Sequence, residues 1–182
     1  MPVYISLLRG INLGGHKLVA MDKLRAAVED LGGTAVRTYI QSGNLVFRAR
    51  KTSPEGWSKK IEAMLLREFG FPVLVITRTR DEFEALVRNN PFATEKEVDG
   101  SKHHVCFLAE APLPAVRKEM KKLTTLPDRT HCGNREIYFH LPKGFAESSL
   151  LHNPLERRLL KAATTRNWRT VNALLAMARE ME

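Results

Sequence analysis

Two short polar segments hold most of the groups in this chain that could meet a ligand. The first is Arg9-Gly10-Ile11-Asn12-Leu13-Gly14-Gly15-His16-Lys17, the second Gln41-Ser42-Gly43-Asn44. Arg9 carries a guanidinium fork that can give a phosphate or carboxylate two parallel hydrogen bonds, and Lys17 adds a second cation. Asn12, Gln41 and Asn44 each donate and accept, and Ser42 adds a hydroxyl, a set suited to amide-, base- or hydroxyl-bearing ligands. Gly10, Gly14, Gly15 and Gly43 let the backbone come close to such a ligand. N–H groups in a loop just ahead of a helix favour anions. No carboxylate lies in either segment, so paired-carboxylate acid–base chemistry is not expected there, and His16 is the candidate base. The glycine spacing matches neither the Walker A pattern nor GxGxxG. The bland alternative is that the glycines serve tight turns and the polar side chains satisfy backbone groups.

These segments are useful only if the fold brings them together. Val3 to Leu8 is short, aliphatic and closed by glycine, which predicts a buried strand. Met21, Leu24, Val28 and Leu31 fall on one helical face, and Gly32-Gly33 ends that helix. Thr34 to Ile40 predicts a second strand, Gln41–Asn44 a turn and Leu45 to Arg48 the returning strand. Trp57, Ile61, Leu65 and Phe69 mark a second helix ending at Gly70, and Val73 to Thr77 a fourth strand. The order is β-α-β-β-α-β, the ferredoxin-like unit. In that unit the loop after the first strand and the hairpin between the second and third meet at one end of the sheet. The two polar segments are therefore expected to converge.

The order then repeats. Asp81 to Asn89 predicts a linking helix, and Thr94 to Lys102, polar and charged, a linker. His103 to Leu108 is a strand, and Leu113, Val116, Met120 and Leu123 mark a helix. Arg129–Cys132 and Arg135–Leu141 form a hairpin about Gly133-Asn134. Asn153-Pro154-Leu155-Glu156 reads as a capped helix start. Thr164 to Trp168 is a short strand, and Val171, Leu174, Leu175 and Ala178 lie on a C-terminal helix. The expected fold is α+β, two tandem ferredoxin-like (βαββαβ) subdomains plus a C-terminal helix. The subdomains are 1–79 and 103–182, joined by a linking helix and linker at 80–102.

Three segments stand out together: Arg9 to Gly15; Thr38-Tyr39-Ile40-Gln41-Ser42-Gly43-Asn44-Leu45-Val46-Phe47; and Thr164-Thr165-Arg166-Asn167-Trp168-Arg169-Thr170-Val171. In this order they resemble the signature segments of a mainly bacterial family, the domain of unknown function 1697 family, nearly end to end. Leu13 and Leu45 stand where the family pattern has Val. The resemblance implies two ferredoxin-like subdomains. It implies no activity, substrate or catalytic residue. The third segment is a second candidate site: Arg166 could clamp an anion, with Asn167, Trp168 and Thr170 beside it. Its bland reading has Asn167 or Thr170 capping the last helix and Trp168 packing it to the core.

Composition sets bounds on function. The chain has 182 residues with a formal net charge of +9. Residues 1–90 carry 14 Lys and Arg against 9 Asp and Glu, and residues 91–182 carry 15 against 11. A basic excess spread this evenly is first a solvated surface and second an attraction for anionic ligands. No apolar run is long enough for a membrane helix, and the start of the chain lacks a signal-peptide pattern. Two cysteines suit a reducing, cytoplasmic setting. The histidines and cysteines, including His104 with Cys106 and His131 with Cys132, lack zinc-site spacing, so no metal is expected. The residues name no cofactor and no oligomeric state, and do not decide between enzyme and binding protein. The best expectation is a small anionic, nucleotide-like ligand at the loop and turn. The rivals are a nucleic-acid-binding module and a protein–protein adaptor. RNA-binding sheets of this kind stack bases on aromatics of strands one and three. Tyr4 and Phe47 occupy those strands, but the interleaved aromatic pattern is missing, so nucleic acid is not favoured.

Overall fold

The computed structural model describes residues 1–93, 99–121, 127–148 and 162–181. The expected helix at 153–156 and the position of Leu123 lie outside these residues. The chain has a mixed α/β fold with two four-stranded antiparallel sheets and, among the described residues, five helices. It divides into two compact units, Met1–Glu84 with Ala173–Glu182, and Ala85–Asn172.

In the first unit, β1 (Val3–Leu8), β2 (Thr34–Thr38), β3 (Asn44–Arg48) and β4 (Val75–Thr79) form a sheet in the order β2-β3-β1-β4. Side chains alternate across a strand. Tyr4 and Leu8 of β1 and Leu45 and Phe47 of β3 meet α1 (Met21–Asp30) and α2 (Pro54–Phe69) through Leu24, Val28, Trp57, Ile61 and Leu65. The alternate residues Val3, Ile5, Leu7 and Val46 are buried as well. A sheet covered on both faces explains why β1 reads as one apolar run rather than an alternating one. Residues from Ala173 onward group with this unit. Arg48 Nε donates to the Met181 carbonyl at 2.6 Å, and Arg37 pairs with Glu180 at 2.7 Å. The α2 boundaries follow from local chemistry. Ser53 Oγ accepts from the Gly56 N–H at 3.0 Å, Pro54 opens the first turn, and Gly70 closes the helix at φ 80°.

In the second unit, β5 (His103–Leu108), β6 (Arg129–Cys132), β7 (Glu136–His140) and β8 (Ala163–Asn167) form a sheet in the order β6-β7-β5-β8. Cys106, Leu108, Ile137, Phe139, Leu141 and Ala163 build its core, with Val116 of α4 (Pro114–Lys121) against it. On the other face, the Tyr138 hydroxyl donates to the Leu86 carbonyl of α3 (Arg80–Arg88) at 2.8 Å. The last helix, α5 (Trp168–Arg179), follows β8 directly.

Two strands depart from the sequence reading by two residues, the others by no more than one at either end. β2 stops at Thr38, because Tyr39 turns back to exchange hydrogen bonds with Asn44, and Ile40 takes a positive φ of 50°. β4 lies two residues later than expected, at Val75–Thr79. No helix among the described residues is long and apolar enough to cross a membrane.

Candidate functional site

The loop after β1 and the turn before β3 do meet. The Leu8 N–H donates to the Gly43 carbonyl at 2.8 Å, extending the β1–β3 ladder by one bond. Gly43 sits at φ 81°, and a Cβ there would stand 2.7 Å from Leu8 Cβ and 2.8 Å from Ile11 Cδ1. The turn is thus pressed onto the end of β1 at a point where only glycine fits.

Asn12 makes the tie between them. Its Nδ2 donates to the Gln41 carbonyl at 2.8 Å and to the Val19 carbonyl at 3.0 Å. Its Oδ1 accepts from the Val19 N–H at 2.8 Å, and its own N–H donates to Lys17 O at 3.1 Å. At φ 54° the residue holds a left-handed conformation that Asn tolerates well. Between these bonds Leu13 and His16 pair across Gly14-Gly15, both at positive φ, as a tight two-residue hairpin turn requires.

Asn44 acts likewise in the turn. It is fully buried, and its Nδ2 donates to the Tyr39 carbonyl at 2.9 Å and to Ser42 Oγ at 3.0 Å. Lys17 donates to the Pro72 carbonyl at 2.8 Å and lies over the Phe71 ring. Asn12, Ser42 and Asn44 therefore spend hydrogen bonds within and between the two segments, and Lys17 spends one on the Pro72 carbonyl. Arg9, His16 and Gln41 are exposed side chains on the surface so held. Leu13 in the loop, and Leu18 and Ile40 flanking the two segments, are each more than half exposed.

The second candidate segment is built differently. Arg166 is buried, and its guanidinium donates to Thr164 Oγ1 at 2.8 Å and to the Thr165 carbonyl at 2.9 Å. Burial lowers its pKa to about 10. Asn167 Oδ1 accepts from the Thr170 N–H at 2.8 Å and so caps α5. Trp168 and Thr170 are buried.

Tyr4 and Phe47 stack on each other at 5.8 Å on the helix-covered face, where neither ring is open to a base. The two cysteines are not joined to each other in a disulfide, and Cys106 is buried. Among the described residues no three His, Cys, Asp or Glu side chains are grouped to hold a metal ion.

A feature missed in the sequence lies at the opposite end of the first sheet. A cleft of about 730 Å³ opens among the start of β1, the end of β3 and the start of α3. Its signal was present in Arg48-Ala49-Arg50-Lys51, a basic run leading straight into the Ser53-Pro54 helix start.

Two sheets of like strand order, with a glycine-rich loop fastened to a hairpin in the first, define the class. A family described as "Protein of unknown function (DUF1697)" matches residues 1–138. The chain belongs to that family. Among solved structures it is similar to the conserved bacterial protein SP0830 from Streptococcus pneumoniae, with a TM-score of 0.78 and 25% sequence identity, covering 97% of this chain and 98% of that one. Among curated proteins none matches the chain.

Proposed function

We propose that the protein binds a small anionic, nucleotide-like ligand at the loop-and-turn end of its first sheet, and that each unit is a ferredoxin-like plait. The plait reading is supported by an antiparallel strand order of second, third, first, fourth in both sheets. It takes 1–79 and 103–182 as the two subdomains, with 80–102 between them, although the chain from Ala173 onward groups with the first compact unit. A cytoplasmic setting is supported by the low cysteine content, two residues in 182.

The observation that carries the ligand reading is the Asn12 carboxamide. It joins two segments 29 residues apart, so the loop that carries Arg9 and the turn that carries Gln41, both exposed residues, are held together before any ligand arrives. Such preorganisation lowers the ordering cost of binding. Arg9 supplies the anion contact, and Gln41 the neutral polar one.

A thermal-shift series of nucleotides and phosphosugars tests this. Ligand at a hundred times its Kd adds about 2.7 kcal/mol of stability. Arg9→Ala is expected to erase the shift while changing the unliganded protein by less than about 1 kcal/mol. Asn12→Ala is expected to cost about 1–3 kcal/mol of stability through its unpaired partners. If no compound raises the melting temperature, or Arg9→Ala destabilises as Asn12→Ala does, the segments serve the fold alone.

The exposed Leu13, Leu18 and Ile40 favour a second reading, a protein partner docking on the same surface. Leu13→Ser with Leu18→Ser would weaken such docking and leave a small-ligand shift intact.

A further inference from the structure

Leu13, Leu18 and Ile40 are 62, 66 and 53% exposed. Each is one Cα step, about 3.8 Å, from a residue tied through the Asn12 carboxamide. Leu13 follows Asn12 itself. Leu18 precedes Val19, whose N–H and carbonyl both bond that carboxamide, and Ile40 precedes Gln41, whose carbonyl accepts from it. The tip of the loop stands clear of its surroundings. A Cβ added at Gly10, Gly14 or Gly15 would meet nothing within 4 Å beyond its chain neighbours. Three bare aliphatic side chains are thus carried on a backbone that is fixed from beneath and open above.

Their surroundings are basic. Beside Arg9, the loop and the first turns of α1 carry Lys17, Lys23 and Arg25 against one carboxylate, Asp22. Lys17 donates to the Pro72 carbonyl and Arg25 to Thr38 Oγ1, neutral partners that leave both charges in place. Lys23 is exposed. The Gln41–Asn44 turn is uncharged, and Glu68, in the last turn of α2, is paired with Arg67 at 2.8 Å. The corresponding connection of the second unit, 109–113, differs in sign: Leu113 is 71% exposed there, and the charged residue is Glu110.

We infer that this end of the first unit docks on an anionic membrane surface. Leu13, Leu18 and Ile40 enter the boundary between headgroups and acyl chains, and Lys17, Lys23 and Arg25 meet the lipid phosphates. Exposed apolar clusters serve either proteins or membranes. The residues that dominate protein interfaces are Trp, Tyr and Arg, with Leu under-represented. Aliphatic side chains flanked by long cations suit the membrane interface, where the cations reach the headgroups while their stems follow the apolar surface. The inference goes beyond the small-ligand reading and uses neither Arg9 nor Gln41.

The test is co-sedimentation of the full chain with vesicles at about 0.1 M salt. One set is phosphatidylcholine alone, and in the other about a quarter of the lipid is phosphatidylserine. The anionic vesicles are expected to bind at least about tenfold more tightly. Leu13→Ser with Leu18→Ser should weaken that binding about tenfold or more, and Leu13→Ser alone at least about threefold. Lys17→Gln and Lys23→Gln should each weaken it about fivefold. Leu113→Ser and Lys59→Gln make the same changes at exposed positions elsewhere and should shift it less than about twofold. An unchanged melting temperature shows that each variant is folded, and the single leucine variant decides if the double one is not. The nucleotide shift is read without vesicles, so either result stands without the other. If neither vesicle binds, the face is left to a protein partner and the inference is wrong. It is equally overturned if phosphatidylcholine alone binds as tightly, or if the leucine variants bind like the parent, which is adhesion by net charge.

Discussion

The two units share a frame and differ in what is hung on it. Arg78 faces Ile5 across β4 and β1, and Arg166 faces Val105 across β8 and β5. Both arginines are buried, and each guanidinium donates to the carbonyl of the residue before it, at 3.0 and 2.9 Å. Each strand then ends in a capping residue, Thr79 or Asn167, and runs into a helix. The connections at the other end are unlike. Twelve residues, 9–20, join β1 to α1, whereas five, 109–113, join β5 to α4. Two sheets of the same strand order let each serve as a control for the other. A feature present in both units serves the frame, and the Arg166 segment is such a feature. A feature confined to one unit, such as the loop fastened by Asn12, is where a specific task has room.

The hairpin glycines sharpen this most. Gly43 is held at positive φ, and a methyl group added there would stand only 2.7 Å from Leu8 Cβ, whereas the obstacle at Gly133 is the movable side chain of Glu136. Gly43→Ala meets both left-handed strain and a rigid neighbour, so a loss of about 3 kcal/mol is expected. Gly133→Ala displaces the Glu136 carboxylate from the N–H groups of Asn134 and Arg135, now at 3.0 and 3.1 Å, at a cost of about 1 kcal/mol. Chemical denaturation of both variants checks the ratio. Equal losses would mean that the two hairpins are held alike and that the difference between the units is not one of construction.

The next effect tests the shared part. If Arg78 and Arg166 play the same role, Arg78→Ala and Arg166→Ala should each destabilise the protein by about 2 kcal/mol, as removal of a buried hydrogen-bonded group does. Met in either place should restore most of the loss by refilling the volume. A variant at Arg166 that keeps full stability would break the equivalence and return that residue to the candidate ligands.

Much of this frame was legible in the sequence, for local reasons. Ser53-Pro54 and Gly70 bound α2, and the apolar run of Val3–Leu8 gives β1 without ambiguity. The convergence of Asn12 with Gln41 followed from topology alone. What the sequence hid was the spending of polar groups. Asn44 reads as a ligand-facing amide until its burial beneath Tyr39 and Ser42 is seen. Nor does spacing show that Ile40, apolar and β-branched, leaves the strand at positive φ, since the Asn44–Tyr39 bonds that impose this are tertiary. The correspondence of Thr77-Arg78-Thr79 with Thr165-Arg166-Asn167 is two identities in three residues. It gains meaning only from the matched registers.

The smallest expected effect comes from one more matched position. Tyr4 and His104 occupy the same place in the two sheets, facing Phe47 and Thr79 in one and Phe139 and Asn167 in the other. The Tyr4 hydroxyl is doubly bonded to Thr52, whereas His104 Nδ1 is buried without a hydrogen-bond partner and its ring lies 5.1 Å from Phe145. Burial, the largest cause, and the weaker repulsion from His103 hold the His104 pKa below the usual 6.5 against the raising effect of the Lys102 backbone. The unfolded chain therefore takes up a proton at a higher pH than the folded one. From this residue stability is fully present above about pH 6.5 and is lost as pH falls below it, toward the lower folded value. His104→Gln removes that titration. The difference in melting temperature between variant and parent should be constant from pH 8 to pH 7 and move in favour of the variant as the pH drops to 5. Carboxylates titrate in both proteins and cancel in the comparison. A difference that stays flat over the whole range would show that the second unit, like the first, carries no acid-sensitive group at this position.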